Sequence, residues 1–454
     1  MPYTVPPNRD WSERDLSVIW HPCTQMKEHE QYPLLPIVKG EGVYLVDDKG
    51  RRYIDAVSSW WVNIFGHGRS EIRAAIKQQV DQLEHVIFAG CSNIPAIELA
   101  EKLVQVTPAP LNRVFYADCG SAAVEVALKM SFQYWQNQGQ PQRRRFIALQ
   151  NGYHGETVGA LSVGDVALYK ETFGPLLFDT IMAPSPDSFN REAGESWYDY
   201  SLRQAQALEQ LLAQHAHEVC GFILEPLVQC AGNMRMYHPI YLQKAREYCD
   251  RYNVHLIFDE IAVGFGRTGT LFACEQAQVV PDFMCVSKGI TGGFLPLAAV
   301  LTSESIYQAF YDEYASLKGF LHSHSYTGNP IACAAGVATL KLFEEQPVLQ
   351  NNQALIAKMR QVSERFLDHP NVADVRQTGM ILAIEMIKDK ANKTPFDWRE
   401  RRGIRVYQHA LTQGALLRPL GNVIYFMPPY VITEDEIERL AQIAWDGLNI
   451  AVKD

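Results

Sequence analysis

The sequence predicts an α/β protein with a large, mostly parallel-sheet domain and a smaller α+β domain built from both chain ends. Through the middle of the chain, short strand-like segments alternate with segments of helical period, a pattern typical of crossover units. A length of 454 residues, with 47% hydrophobic and 20% charged residues, suits one large domain and a smaller one. We expect residues 1–60 and 331–454 to form the small domain and residues 61–330 the large one.

Apolar runs and helical spacing predict the elements of each domain. The expected strands of the large domain are residues 113–117, 146–149, 221–224, 254–258, 283–287 and 297–301. Apolar residues at three- and four-residue spacing predict helices between them at residues 121–136, 202–215 and 241–252. The segments expected in the small domain are a hairpin at 42–55, helices at 331–345 and 353–369, a hairpin at 372–386, and a helix at 434–452.

Composition narrows the class of partner. A net charge of −10 with only 41 lysines and arginines argues against a nucleic-acid or anionic-membrane surface. Residues 1–10 lack the basic and apolar regions of a leader, and no apolar stretch reaches the roughly 18 residues of a membrane span. The nine scattered cysteines contain no C-x-x-C pair. We expect a cytoplasmic protein with reduced thiols, no bound metal and small-molecule partners.

Two apolar strands of the large domain end in opposite charges. Residues 254–258 run into Asp259, and residues 283–287 run into Lys288. Carboxyl ends of parallel strands open onto the ligand crevice, so both side chains can face one small molecule. A desolvated lysine can form a Schiff base with an aldehyde, and a carboxylate can keep a heterocyclic nitrogen protonated. The pair favours pyridoxal phosphate; the alternatives are a buried salt bridge, a surface Lys288, and an Asp259 that caps a helix or pairs with Arg267.

Two further strand ends fit the same ligand. Gly120 and Ser121 lie between a strand and a helix, where free backbone N–H groups can bind a phosphate, although Ser121 could be only an N-cap. Tyr153 follows another strand end and offers a ring that can stack on a pyridine, although a half-buried turn tyrosine is equally compatible. The glycines of residues 264–269 do not fit a dinucleotide loop, which disfavours a nicotinamide cofactor.

Residues 259–269, followed by Lys288 at 29 residues from Asp259, resemble the cofactor-attachment pattern of class III pyridoxal-phosphate aminotransferases. Residues 225–226 and 327–330 also fit, and the similarity extends from about residue 20 to residue 430. The resemblance implies a fold-type-I homodimer with active sites at the subunit interface. It implies three catalytic residues, Lys288, Asp259 and Tyr153. It assigns pyridoxal phosphate to Gly120, Ser121, Tyr153, Asp259, Lys288 and Ser325, with Ser325 reaching the phosphate of the other subunit's cofactor.

The resemblance also assigns a substrate pocket. Arg418 would bind a substrate carboxylate through its bidentate fork, and Trp60 and Tyr425 would shape the channel beside Tyr153 and Lys288. Core packing is the alternative for Trp60, Trp61 and Tyr425, and a surface ion pair is the alternative for Arg418.

Five short segments are similar to the branch of the class that works in biotin biosynthesis: residues 20–22, 58–61, 133–135, 234–239 and 418–421. That likeness implies a ping-pong transfer of an amino group from S-adenosylmethionine to 8-amino-7-oxononanoate, giving 7,8-diaminononanoate. Alternatives are lysine as the donor, another class III enzyme acting on an ω-amino acid or diamine, and a noncatalytic protein on the same scaffold.

Two positions depart from the pattern of that branch. Cys23 stands where a tyrosine is usual, which leaves the amino donor open because lysine-using relatives also lack the phenol, whereas Tyr425 favours adenosylmethionine. Residues 323–325 read Ser-His-Ser where Gly-Pro-Thr is usual, and Ser325 keeps a hydroxyl at the position expected to meet the phosphate.

Overall fold

The computed structural model describes residues 10–32 and 34–453. Residues 1–9 lie outside the described residues. They include most of the segment considered for a leader and the start of the predicted small domain. The strands, in chain order, are β1 (Ile37–Glu41), β2 (Tyr44–Asp47), β3 (Arg52–Asp55), β4 (Leu111–Ala117), β5 (Arg145–Leu149), β6 (Ile181–Ala183), β7 (Val219–Leu224), β8 (Val228–Gln229), β9 (Arg235–Met236), β10 (His255–Asp259), β11 (Phe283–Val286), β12 (Ala298–Ser303), β13 (Val372–Thr378), β14 (Ile381–Met386), β15 (Ala415–Leu416) and β16 (Val423–Phe426).

Seven of these strands form the large sheet, in the order β4-β12-β11-β10-β7-β5-β6. Strand β12 is antiparallel to both β11 and β4, and the remaining neighbours pair in parallel. Six strands therefore point the same way, and their carboxyl ends share one edge. The predicted α/β class with a mostly parallel sheet is confirmed.

Both faces of the large sheet are covered. In β10, the side chains of Leu256 and Phe258 pack into one hydrophobic cluster and Ile257 packs into another on the opposite face. All three are fully buried, as expected where helices cover both sides of a parallel sheet. This burial explains why the sequence shows continuous apolar runs there rather than alternation.

The helices account for most of the remaining chain. They are α1 (Trp11–Leu16), α2 (Ser58–Trp61), α3 (Ser70–Val80), α4 (Ile94–Val106), α5 (Gly120–Asn137), α6 (Val158–Ser162), α7 (Ala167–Phe173), α8 (Trp197–His215), α9 (Ile240–Tyr252), α10 (Glu304–Gln308), α11 (Pro330–Glu345), α12 (Val348–Leu367), α13 (Arg402–Thr412) and α14 (Glu434–Ala451). Short 3-10 turns lie at Met26–Glu30, Gly174–Leu176, Ser188–Asn190, Ala273–Ala277, Lys288–Thr291, Tyr314–Ser316 and Trp398–Glu400. Within the described ranges, no helix is long and apolar enough to cross a membrane.

The predicted helices are present, with shifted ends. The helix expected at 202–215 begins at Trp197, because Ser196 caps it by accepting a hydrogen bond from the backbone N–H of Asp199. The helix expected at 353–369 runs from Val348 to Leu367. Strand β6 was missed, since three residues are too few to give a periodic signal.

The two ends of the chain meet in a second sheet of order β1-β2-β3-β15, where β15 from the C-terminal region pairs in parallel with β3. The predicted hairpin at 42–55 is the antiparallel pair β2–β3, and the hairpin at 372–386 is β13–β14, which β16 extends. The domain limits at residues 60 and 330 stay predictions.

Candidate active site

A cavity of about 420 Å³ opens at the carboxyl edge of the large sheet. Each of five codirectional strands delivers side chains to it from the loop or turn that follows the strand. These are Gly120 and Ser121 after β4, Tyr153 after β5, Glu225 after β7, Asp259 at the end of β10 and Lys288 after β11. The sequence predicted all of them at this edge except Glu225, which was noted only as part of the resemblance to the family, at residues 225–226.

Lys288 lines this cavity and is not a surface lysine. Its ammonium nitrogen lies 5.4 Å from the centre of the Trp61 ring. Desolvation lowers the pKa of Lys288, and the neighbouring Asp259 charge opposes that shift. A lysine with a lowered pKa supplies more of the neutral amine, which is the nucleophilic form.

Asp259 is buried at the floor of the cavity and is held by two hydrogen bonds. Its Oδ2 lies 2.8 Å from His154 Nδ1, and its Oδ1 accepts the backbone N–H of Ile261 at 3.1 Å. The alternative that it pairs with Arg267 is wrong, because that guanidinium donates to backbone carbonyls of Trp61, Asn63, Met427 and Pro428. His154, fully buried beside Tyr153, is a neighbour of Asp259 that sequence reasoning missed.

Glu225 is a second buried carboxyl at the same edge. Its Oε1 accepts the Tyr153 N–H at 3.0 Å, and its Oε2 accepts the Cys230 N–H at 2.9 Å. Burial raises the pKa of Glu225 to about 7, although both hydrogen bonds oppose the shift. The carboxyl thereby ties the loop that carries Tyr153 to the end of β7.

The opposite end of the cavity is formed by the start of α5. The helix begins at Gly120 with Cys119 at the N-cap position, so the alternative that Ser121 is only an N-cap is wrong. Ser121 Oγ instead accepts the backbone N–H of Glu156 at 3.2 Å. A Cβ atom at Gly155, whose φ is +123°, would stand only 2.1 Å from that Oγ. Glycine is therefore required for this close approach of loop and helix.

A second cavity, of about 470 Å³, adjoins the first and shares Trp61 and Tyr153 with it. Arg418 lies in its wall, with Cζ 4.9 Å from the centre of the Trp60 ring. No acidic side chain pairs with Arg418 among residues 10–32 and 34–453, so the surface ion pair is not observed. Trp60 is 46% exposed, which contradicts core packing. Tyr425 is buried, and its hydroxyl accepts a hydrogen bond from Trp61 Nε1 at 3.1 Å.

Cys23 lies in the wall of this second cavity. Its Sγ is 3.5 Å from the hydroxyl of Tyr169 and 3.7 Å from Oε1 of Glu156, and that same oxygen accepts a hydrogen bond from the Tyr153 hydroxyl at 3.1 Å. Burial, together with the Cys23 contact, raises the pKa of Tyr169. Sequence reasoning found Cys23 and missed Glu156 and Tyr169, whose approach depends on the fold.

The two tryptophans reach the cavities from an unusual turn. In α2, Ser58, Ser59, Trp60 and Trp61 have φ of 49°, 48°, 71° and 73°, so this element is one turn of left-handed backbone. Left-handed helical backbone costs a residue with a side chain roughly 1–2 kcal/mol. Such strain persists where surrounding contacts fix it, and it is concentrated at functional sites.

Ser325 lies apart from both cavities of its own chain. It stands exposed in the turn at residues 325–328, and neither cavity includes it in its wall. Its expected contact is with the cofactor of another subunit, so this role stays a prediction. Within residues 10–32 and 34–453, no group of three His, Cys, Asp or Glu side chains is arranged to hold a metal ion.

The model of the family "Aminotransferase class-III" matches residues 25–446. The chain belongs to the class III aminotransferases. The adenosylmethionine-8-amino-7-oxononanoate aminotransferase of Geobacter sulfurreducens is 46% identical over 445 residues, covering 98% of this chain and 97% of the relative. The protein of the same name from Helicobacter pylori is also 46% identical, covering 94% of each chain.

Two solved structures of aminotransferases superpose closely on this fold. Adenosylmethionine-8-amino-7-oxononanoate aminotransferase from Methanocaldococcus jannaschii has a TM-score of 0.92 at 41% identity, covering 96% of this chain and 98% of that one. The omega transaminase from Pseudomonas jessenii, in complex with PMP, has a TM-score of 0.93 at 30% identity, covering 98% of each. The predicted family and the fold-type-I architecture are confirmed.

Family membership makes this protein a pyridoxal-phosphate-dependent aminotransferase, and it does not support the noncatalytic alternative. The first cavity fits that cofactor on its own chemistry. It offers an amine of lowered pKa, a buried carboxylate that contacts the His154 imidazole, and an aromatic ring. The amino end of α5 adds free backbone N–H groups for a phosphate.

Proposed function

We propose that this aminotransferase moves an amino group from S-adenosylmethionine to 8-amino-7-oxononanoate, giving 7,8-diaminononanoate in biotin biosynthesis. Relatives that bear the corresponding name are 39–46% identical to nearly the whole chain. The observation that carries the proposal is the guanidinium of Arg418, which faces the second cavity without an acidic partner in the described part of the chain. The acceptor has a carboxylate at the far end of its carbon chain, and such a group suits this arginine.

Residues of the first cavity would handle the cofactor. When bound, pyridoxal phosphate supplies an aldehyde for an amine and a ring that accepts electrons from the substrate carbon. Lys288, whose lowered pKa favours the neutral amine, would hold the cofactor through its Nζ and would move the proton at the reacting substrate carbon. Asp259, oriented by His154 and the Ile261 N–H, would hold the proton on the ring nitrogen.

The remaining cofactor contacts follow from position. Gly120 and Ser121 would bind the phosphate through backbone N–H groups at the start of α5. The Tyr153 ring would stack on the pyridine, and its loop is fixed by the bond from its N–H to Glu225. Desolvation and Glu156 raise the pKa of Tyr153, so its hydroxyl stays protonated and can donate a hydrogen bond.

The second cavity would select the substrate. Arg418 would bind the acceptor carboxylate, with its planar group supported by the Trp60 ring. Tyr425 and Trp61, bonded to each other, would form the wall between this carboxylate site and Lys288. The distance between Arg418 and Lys288 would thus favour substrates whose carboxylate and reacting carbon are the matching distance apart.

The amino donor is tested by single half-reactions. The yellow holoenzyme is mixed in turn with S-adenosylmethionine, lysine and an ω-amino acid, and the loss of the aldehyde form is followed by visible absorbance. We expect adenosylmethionine to convert the enzyme, after which 8-amino-7-oxononanoate should restore the original spectrum. Conversion by lysine alone would establish the second candidate, which Cys23 favours because a phenol is lost there. Conversion by the ω-amino acid alone would identify the protein as an ω-amino acid aminotransferase.

We further propose a cytoplasmic homodimer whose active sites lie at the subunit interface, with the domain limits given above. Several large apolar side chains in residues 311–326, the segment that contains Ser325, are exposed, and they suit burial against a second copy: Tyr311, Tyr314, Leu317, Leu321 and Tyr326. Light scattering of the purified enzyme should give twice the chain mass of 51.3 kDa. A monomer that retains full activity would refute the shared site and the role of Ser325.

A further inference from the structure

The left-handed turn at Ser58–Trp61 needs support from outside its own sequence. It contains no glycine, so its local sequence does not favour positive φ at four successive positions. Yet the turn delivers Trp60 to Arg418 and Trp61 to Tyr425, and both contacts belong to the proposed substrate cavity. Whatever holds this backbone therefore also determines the shape of that cavity.

A buried polar chain holds the first half of the turn. Asp55, at the end of β3 and fully buried, accepts the Ser59 N–H at 2.9 Å and the Ser59 hydroxyl at 2.7 Å. The same carboxylate lies 2.9 Å from Nε2 of His67, and His67 Nδ1 lies 3.0 Å from Nδ2 of Asn63. Asp55 thus links a residue inside the turn to a histidine beyond it. Nothing in the proposed mechanism uses Asp55 or His67.

The second half of the turn is held independently. Arg267 donates to the carbonyls of Trp61 and Asn63, at 3.3 and 3.2 Å. Ser58, at the start of the turn, also has a separate contact, because its Oγ donates to the carbonyl of Met427 at 2.7 Å. Loss of Asp55 would therefore release Ser59 and Trp60 while Trp61, beside Lys288, stays fixed.

We propose that Asp55 and His67 are positioning residues, which fix the left-handed conformation at Ser59 and thereby hold the Trp60 ring under Arg418. This inference rests on the proposed function, in which Arg418 binds a substrate carboxylate. Trp60 and Arg418 serve substrate binding, whereas Trp61, which stays fixed, adjoins the reacting amine. Loss of the contact between Asp55 and Ser59 therefore affects substrate affinity more than turnover.

The test uses the holoenzyme with Asp55→Asn, which removes the charge and offers an amide N–H₂ to groups that are themselves donors. We expect the KM for 8-amino-7-oxononanoate to rise about tenfold while kcat stays within about threefold, since hydrogen bonds to a charged group are among the stronger ones. Near-ultraviolet circular dichroism should change as the Trp60 indole loses its fixed environment.

A second substitution separates positioning from general stability. Ser59→Gly in the Asp55→Asn background should restore the KM to within about threefold of wild type, because glycine adopts a φ of 48° without a side-chain penalty. A role in stability alone predicts no rescue, since an added glycine increases the entropy of the unfolded chain. Asp55→Asn with unchanged KM, or an unrescued double variant, overturns the proposal.

Asp47→Asn is the matched control. Asp47 is similarly buried in the same sheet and accepts backbone N–H groups of Lys49 and Arg51, but it does not contact the turn. Its substitution should lower the melting temperature without the KM change. If wild-type enzyme does not turn over 8-amino-7-oxononanoate, the proposed function fails. The turn is then judged by circular dichroism alone, where an Asp55→Asn spectrum identical to wild type overturns the inference.

Discussion

Replacing Gly155 with alanine should weaken cofactor binding without altering any group that reacts. The added Cβ would stand 2.1 Å from Ser121 Oγ and 2.9 Å from Ser121 Cα, which is backbone and cannot rotate away. The residue must also keep a φ of +123°, a conformation that side-chain-bearing residues rarely adopt. The loop or the start of α5 has to move, and that helix start carries the proposed phosphate-binding N–H groups.

The size of the effect follows from the strain. Backbone held in such a sparsely populated region costs of order 1–3 kcal/mol, and the loop can relieve it only by leaving the cavity end. Cofactor binding would force the loop back to the cavity end and restore the strain. The Kd for pyridoxal phosphate should therefore rise roughly 5- to 150-fold, because about 1.4 kcal/mol corresponds to a factor of ten.

The assay is a titration of apoenzyme with pyridoxal phosphate, followed by visible absorbance. Gly174→Ala is the control, since a Cβ there meets no atom within 4 Å and the residue has no positive φ. Thermal unfolding of both apoenzymes separates loss of binding from loss of folding. A Gly155→Ala Kd within about twofold of wild type would show that this close contact does not shape the phosphate site.

Three further results are expected. Lys288→Ala should abolish transamination while leaving noncovalent cofactor binding, and retained full turnover would refute the mechanism. Arg418→Ala should raise the KM for the carboxylate acceptor roughly 10- to 100-fold through loss of charge-assisted hydrogen bonds, and the reaction of an amine without a carboxylate should change little. Burial lowers the pKa of His255 from 6.5 to about 4, so between these values the unfolded chain binds more protons and stability falls as pH decreases. Replacing His255 with Gln should remove up to ~3 kcal/mol of this acid-induced loss in the free energy of unfolding, measured by denaturant unfolding between pH 6.5 and about 4. Identical pH profiles for the wild type and the variant would show that His255 does not cause the loss.

The sequence predicted the cofactor end of the site because that end is local. Asp259 is the last residue of one apolar strand and Lys288 lies two residues after the end of another, and a strand end identifies its position on a parallel sheet. The partner of Asp259 was missed although His154 adjoins Tyr153. His154 and Asp259 are 105 positions apart in sequence, and only the pairing of strands brings His154 Nδ1 within 2.8 Å of Asp259 Oδ2.

The substrate end was visible only through family resemblance. No local pattern in Ser58–Trp61 favours left-handed backbone. Asp55 holds the turn from four residues away, but another contact comes from Met427, 369 residues away in sequence. The exposure of Trp60 and the burial of Tyr425 likewise depend on how the N- and C-terminal regions meet. Periodicity and composition carry no information about such long-range contacts.

The two ends of the site are therefore built on different principles. Cofactor-facing residues lie at the ends of strands of the large sheet, so a change there disturbs the sheet itself. The second cavity combines a turn, a helix and C-terminal loops, which meet through side-chain contacts such as Trp61 with Tyr425 and Arg418 with Trp60. Its members can change while the sheet stays intact, and an omega transaminase with only 30% identity shares this fold at a TM-score of 0.93. The choice of donor should accordingly depend on the side chain at position 23 and its neighbours, not on the strand ends.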